Sequence, residues 1–205
     1  MTQKIYLYPL WVRIWHWVNA LLFIALILTG LSLQYSNPEY PLIPFDKAVS
    51  WHNIAGILLA ISYLIFLAGN RMSDNGKYYR LQRSQWINRV LKQFRYYTRG
   101  VFKGEQAPFP VDENRKFNPL QKVAYVGAMY GCIPVVIITG LALLFPEVIV
   151  HKAFGVSGTL LTALLHMVIG FILTIFLLVH LYFSTFGKKV SSNFKSMIHG
   201  YHEGH

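Results

Sequence analysis

Four intervals of the chain, residues 14 to 38, 48 to 70, 123 to 146 and 153 to 187, contain no Asp, Glu, Lys or Arg. Within them apolar residues surround most of the helical circumference, whereas a helix seated on a soluble core keeps a polar face. Each is at least as long as the roughly 20 residues an α-helix needs to cross hydrocarbon. The pattern predicts membrane spans near 14–33, 51–69, 123–145 and 158–186. A different pattern sits between the second and third spans. There Ile87, Val90, Leu91 and Phe94 fall at i, i+3, i+4 and i+7, with Arg89, Lys92 and Arg95 on the other positions. This predicts a short amphipathic helix near 84–97 lying on a leaflet, its apolar stripe in the acyl boundary and its cations among lipid headgroups. The stretch "GEQAPFPVDENRKFNP" that follows carries three prolines and predicts irregular, exposed chain.

Composition agrees with this reading. With 54% hydrophobic and 13% charged residues, the 205-residue chain does not have the balance of a soluble domain. The prediction is an all-α integral membrane protein, one domain over 1–205 built as a four-helix transmembrane bundle. The apolar run of the first span exceeds a signal-peptide core and no small-x-small site follows it, so this span is expected to be retained.

Charge then sets the orientation. Of the 19 Lys and Arg, Lys4 and Arg13 precede the first span, twelve lie in the basic loop 71–122, and Lys188, Lys189 and Lys195 follow the last span. Lys47 and Lys152 stand alone in the two other connections. Because Lys and Arg near span ends stay cytoplasmic, both termini and the central loop are expected on that side. The net charge of +11 is accounted for by this topology and by anionic lipid, with no nucleic-acid partner. Cys132 is the single cysteine, which excludes a disulfide framework and covalent Cys-x-x-Cys-His haem attachment.

Ionisable residues inside spans are costly and point to function. His166 and His180 lie fourteen residues apart in the last span. At 100° per residue they project from nearly the same face, about 21 Å apart along the axis. The first span starts on the cytoplasmic side with His16, and the second starts outside with His52. Depth therefore pairs His16 with His180 near the inner face and His52 with His166 near the outer face. Two stacked imidazole pairs are what two b-type haems with bis-histidine ligation require. A zinc site would need its ligands converging within about 2.1 Å of one ion, and a proton relay would want an intramembrane Asp or Glu that the spans do not contain. His151, in the outer connection, is a competitor for the place of His52. The tail "HGYHEGH" spaces His199, His202 and His205 at i, i+3 and i+6, and no function is assigned to it.

Smaller features admit two readings each. Gly56 and Gly170 stand four residues after His52 and His166 and would either clear a flat macrocycle or serve helix contact through small residues. Gly30 and Gly140 occupy matching "TGL" tripeptides and admit the same pair of explanations. Arg13, three residues before His16, is a candidate partner for a haem propionate or simply a marker of the inner side.

The segments "RIWHWVNALLFIALILTG" and "WHNIAG" and the His-x13-His of the last span resemble the membrane cytochrome b family. That family includes the gamma subunit of respiratory formate dehydrogenase, the cytochrome b subunits of nickel-iron hydrogenase and thiosulfate reductase, and bacterial cytochrome b561. The resemblance covers the four spans and not the loop 71–122. It implies two haem b groups in the bacterial cytoplasmic membrane, held by His16 and His180 on the cytoplasmic side and by His52 and His166 on the periplasmic side. It also implies a quinone site near the inner haem, for menaquinone or ubiquinone. Asn19, Arg71, Tyr125 and Tyr182 are the candidates at that depth. The implied role is electron transfer between the quinone pool and a periplasmic iron-sulfur or multihaem cytochrome subunit. A stand-alone superoxide:quinone oxidoreductase and a haem-free anchor are the alternatives.

Overall fold

The computed structural model describes residues 4–35, 37, 39–81, 85–187 and 189–203. Lys188 and His205, which entered the charge and tail arguments, lie outside them. Four of its helices are long and apolar enough to cross a membrane: α1 (Leu10–Tyr35), α2 (Phe45–Met72), α4 (Pro119–Leu144) and α5 (Gly158–Ser184). Two shorter α-helices, α3 (Trp86–Arg95) and α6 (Ser192–His199), accompany them, along with short 3-10 and π-helical turns such as Asp74–Tyr79 and Tyr96–Gly100. Between 6% and 22% of each span's most apolar window is buried, so lipid must cover the rest. Exposed Leu21, Leu64, Ile138 and Phe171 lie on these surfaces.

The helices start where the sequence offers a start. Pro9 and Pro44 precede α1 and α2, and their carbonyls accept from Arg13 N and Ala48 N. Asp46 in the first turn of α2 and Arg71 in its last turn both complement the helix dipole. Asn118 and Gln121 form a reciprocal capping box around Pro119, fixing the start of α4. α4 is interrupted by a π-helical turn at Ala128–Cys132. Pro134 follows it and can neither donate to nor sterically accept the carbonyl four residues earlier, so the wider turn absorbs the mismatch. Before α5, strands β2 (Lys152–Ala153) and β3 (Val156–Ser157) pair antiparallel. Phe154 and Gly155 turn the hairpin with φ of 51° and 79°, the positive values that a two-residue loop of this twist demands.

The chain divides into two compact units. One comprises Met1–Arg13, Gly69–Tyr130 and Val179–His205, and the other Ile14–Ala68 and Gly131–Leu178.

In the first unit the two chain ends are tied together. Strands β1 (Lys4–Tyr6) and β4 (Tyr201–Glu203) pair antiparallel, Lys4 opposite Glu203 and Tyr6 opposite Tyr201. Gly200 turns the chain between α6 and β4 at φ 90°, and its carbonyl accepts from Leu7 N and Tyr8 N. His199 thus ends a helix while His202 lies in a strand, so the tail histidines do not share a helical face. The Arg13 guanidinium donates to the Ile198 carbonyl. α3 turns Gln93, 2% exposed, inward and leaves Ile87, Leu91 and Phe94 exposed. That is the face a lipid-seated amphipathic helix presents outward. The proline-containing segment after it is irregular, with one bridge between Asp112 and Arg115. The Arg115 guanidinium on Asp112 holds that carboxyl below its ordinary value.

In the second unit α1 and α2 are cross-linked by polar groups. Trp15 Nε1 donates to the Ser62 carbonyl at 2.9 Å, and Asn19 Nδ2 donates to Ser62 Oγ at 2.7 Å. Trp15 stacks on buried Phe66 with ring centres 4.6 Å apart. Farther along, Ser32 Oγ both donates to and accepts from the Ile43 backbone.

Candidate functional site: a histidine pair between four helices

His52 of α2 and His166 of α5 face each other in the second unit. Their ring centres are 6.2 Å apart and their planes 72° from parallel. A metal–imidazole bond of about 2 Å on each side, plus roughly 1 Å from each nitrogen to its ring centre, adds to roughly 6 Å. The spacing is that of two imidazoles on opposite sides of one metal. His151 is exposed in the connection between α4 and α5, so of the two histidines considered for this place, the structure brings His52 to His166.

The remaining nitrogen of each ring is engaged from a neighbouring helix. Thr29 Oγ1 of α1 is 2.9 Å from His52 Nδ1, and Thr139 Oγ1 of α4 is 3.0 Å from His166 Nδ1. A glycine follows each threonine, and at Gly140 it makes room for the ring. A Cβ on Gly30 would stand 3.5 Å from His52 Cε1, and one on Gly140 would stand 3.0 Å from His166 Cε1. The matching "TGL" tripeptides therefore fasten both imidazoles, and the second also clears its ring. Their glycines were conspicuous in the sequence. Their threonines were passed over, although the repeat itself was the signal.

Gly56 and Gly170 behave differently: a Cβ at either meets no atom within 4 Å. Close helix contact does not explain them, and open space one turn from each histidine remains. Among the described residues no group of three or more His, Cys, Asp and Glu could hold a metal ion. Two facing imidazoles beside open glycine faces suit a metal that brings its own equatorial ligands, which is what a haem does.

On the same helices, His16 lies on α1 with its ring edge-on to Trp17 at 5.4 Å. His180 lies on α5 within the first unit, its Nδ1 3.3 Å from Tyr125 Oη. Of the other predicted site residues, Asn19 is 8% exposed and spends its amide on Trp15 and Ser62. Arg71 is exposed at the end of α2. Tyr182 is exposed and packs edge-on against Phe183 and Phe186. Arg13 has a buried Nε with no hydrogen-bond partner among the described residues, a donor suited to an added anionic group such as a propionate.

A model of the prokaryotic cytochrome b561 family matches residues 7–200. The chain belongs to that family. Cytochromes b561 are membrane cytochromes b, so haem b binding and electron transfer are the chemistry that goes with this site, in a multi-pass membrane protein. This cytochrome b561 is 42% identical over 200 residues to "Putative cytochrome YdhU" of Escherichia coli (strain K12), covering 98% of this chain and 75% of that one. It is 27% identical over 155 residues to "Putative protein-methionine-sulfoxide reductase subunit YedZ1" of Azospira oryzae, covering 70% of this chain and 72% of the relative.

Proposed function

We propose that this cytochrome b561 is a di-haem electron-transfer subunit that carries electrons across the bacterial cytoplasmic membrane between the quinone pool and a periplasmic redox partner. The observation that carries the reading is the His52–His166 pair, two imidazoles at the spacing of axial ligands with both Nδ1 atoms tied to threonines. The second haem is assigned to His16 and His180. Its support is a matched step along two helices. From Gly30, which lies beside the His52 ring, to His16 is fourteen residues on α1, and from His166 to His180 is fourteen on α5. Both steps are about 21 Å and return to nearly the same helical face. The first and fourth spans run in opposite senses, so both steps lead toward the same leaflet.

The pairing of β1 with β4 supports both chain ends on one side, as four spans require, and the distribution of Lys and Arg supports that side being cytoplasmic. Held by two imidazoles apiece, the haems would keep no open position for oxygen or substrate and would serve as electron carriers. What the chain itself supplies is ligation, ring orientation and exclusion of water. Tyr125, beside His180 at 3.3 Å, is the leading residue for a quinone site near the inner haem, with Arg71 and Tyr182 behind it. Asn19 has its amide committed elsewhere. A relative bearing the name of a reductase subunit favours a partnered protein, with an iron-sulfur or multihaem cytochrome subunit at the outer haem. The apolar stripe of α3 is assigned to the inner leaflet. The test is a dithionite-reduced minus oxidised spectrum of the purified chain with haem counted per polypeptide. About two haems are expected, one would remove half the assignment, and none would end it.

A further inference from the structure

The two facing histidines come from α2 and α5, but the atoms that hold their rings come from α1 and α4. Thr29 and Thr139 each carry one hydroxyl proton. In both residues the hydroxyl also reaches the carbonyl four residues earlier on its own helix, Ala25 O and Val135 O, each at 2.7 Å. A helical threonine ordinarily donates that proton to the carbonyl one turn back, and each imidazole also hydrogen-bonds a carbonyl of the same turn, His52 that of Leu26 and His166 that of Val136, which calls for a ring N–H. The hydroxyl oxygen then meets Nδ1 as an acceptor. The ring nitrogen facing it carries the hydrogen, and the lone pair is left on Nε2 for a metal.

We infer that Thr29 and Thr139 are positioning residues for the outer haem, fixing both axial imidazoles as Nδ1–H donors and thereby lowering that haem's potential. The inference rests on His52 and His166 being its ligands. An imidazole that donates its Nδ1–H to an acceptor is a stronger base at Nε2, and a stronger base favours the ferric iron over the ferrous. Removing the acceptor therefore raises the midpoint. His180 Nδ1 is met by the Tyr125 phenol oxygen, so substitution at Thr29 or Thr139 should leave the inner haem in place.

The experiment uses the full chain in detergent, as wild type and as Thr29→Val, Thr139→Val and the corresponding serine variants. Midpoints come from spectroelectrochemical titration of the α-band. Valine keeps the shape and removes the oxygen, and serine keeps the oxygen. Each valine variant is expected to raise one of the two midpoints by up to a tenfold change in the ferric/ferrous ratio, about 59 mV for one electron. The other midpoint stays in place, and serine restores the wild-type value. Both valine variants titrating like wild type would overturn the inference, and so would a serine variant displaced as far as valine. If valine releases the outer haem, serine must retain it, and loss from both also overturns the inference. A wild-type chain that binds no haem refutes the functional reading itself, a result visible before any variant is made.

Discussion

Lys116 donates from Nζ to Asn75 Oδ1 across 3.0 Å in a position 4% exposed. Around it stand the ring faces of Tyr8 at 4.4 Å, Tyr78 at 5.5 Å and Phe117 at 5.7 Å. The rings favour the cation, but burial prevails and pushes the ammonium down to about 7. The same burial pushes Tyr8 up to about 12 and Tyr79 higher still. An unfolded lysine holds its proton up to about 10.4. Between these values the unfolded chain binds more protons than the folded one, so stability rises with pH from about 7 to 10. Below pH 7 the cost of the buried charge is present in full. The thermal midpoint of the detergent-solubilised protein should climb between pH 7 and pH 9, and Lys116→Met should flatten that climb while stabilising the protein at pH 7. An equal slope in the Lys116→Met protein would show that another group titrates.

The axial assignments separate by component. His52→Ala or His166→Ala should abolish one α-band component and leave the other, while His16→Ala or His180→Ala should do the reverse. His151→Ala should leave both, since that residue is exposed in the connection between α4 and α5. Retention of the outer component in His52→Ala would refute the ligand choice. Loss of everything in all four alanine variants would report failed folding, and imidazole added during growth should then restore the missing component if ligation is the cause.

The glycines divide into two experiments. Gly140→Ala places a methyl 3.0 Å from His166 Cε1, closer than the ring tolerates without shifting. It should disturb the outer component and leave the inner one. Gly56→Leu and Gly170→Leu enter space that no protein atom occupies within 4 Å. If that space is for macrocycles, these variants should assemble in the membrane in normal amount but with reduced haem per chain. Normal haem content in both would assign the space to lipid.

The spans were legible because an all-round apolar surface has few other uses, and their positions agree with the helices to within a few residues at most ends. α2 begins six residues before its predicted start, because the charges of Asp46 and Lys47 interrupt the apolar run, whereas Pro44 and the acidic first turn mark a helix start. The stripe Ile87, Val90, Leu91 and Phe94 announced α3 for the same reason as the spans, periodicity against charge. The π-helical turn of α4 was not read, though Pro134 was the local cause. Nor was the β1–β4 pair: three-residue strands at opposite ends of the chain carry no periodic signal, and only tertiary contact joins them. The histidines were legible as a set because imidazoles are rare in hydrocarbon. The threonines beside them were not, because a threonine in a membrane helix ordinarily satisfies itself on the preceding turn. Thr29 and Thr139 do that and something further, and only the distance to Nδ1 reveals it.

Asn19 offers the sharpest contrast between depth and contact. By depth it belongs among quinone candidates, three residues from His16 on one stripe of α1. By contact it is a strut: Nδ2 reaches Trp15 O at 2.9 Å and Ser62 Oγ at 2.7 Å, and Ser62 is itself buried while its carbonyl holds Trp15 Nε1. Breaking such a buried pair leaves a hydroxyl with no amide to meet, at a cost of about 1–3 kcal/mol. Asn19→Leu should therefore lower the thermal midpoint in detergent, and Ser62→Ala should lower it by less when Asn19 is already Leu, since the two share one bond. The rate of haem reduction by a quinol, expressed per haem, should be unchanged in Asn19→Leu. Tyr125→Phe, which removes the oxygen beside His180, should slow that rate without a comparable loss of stability. A quinol defect in Asn19→Leu at undiminished stability would reverse the two roles and place the quinone against α1.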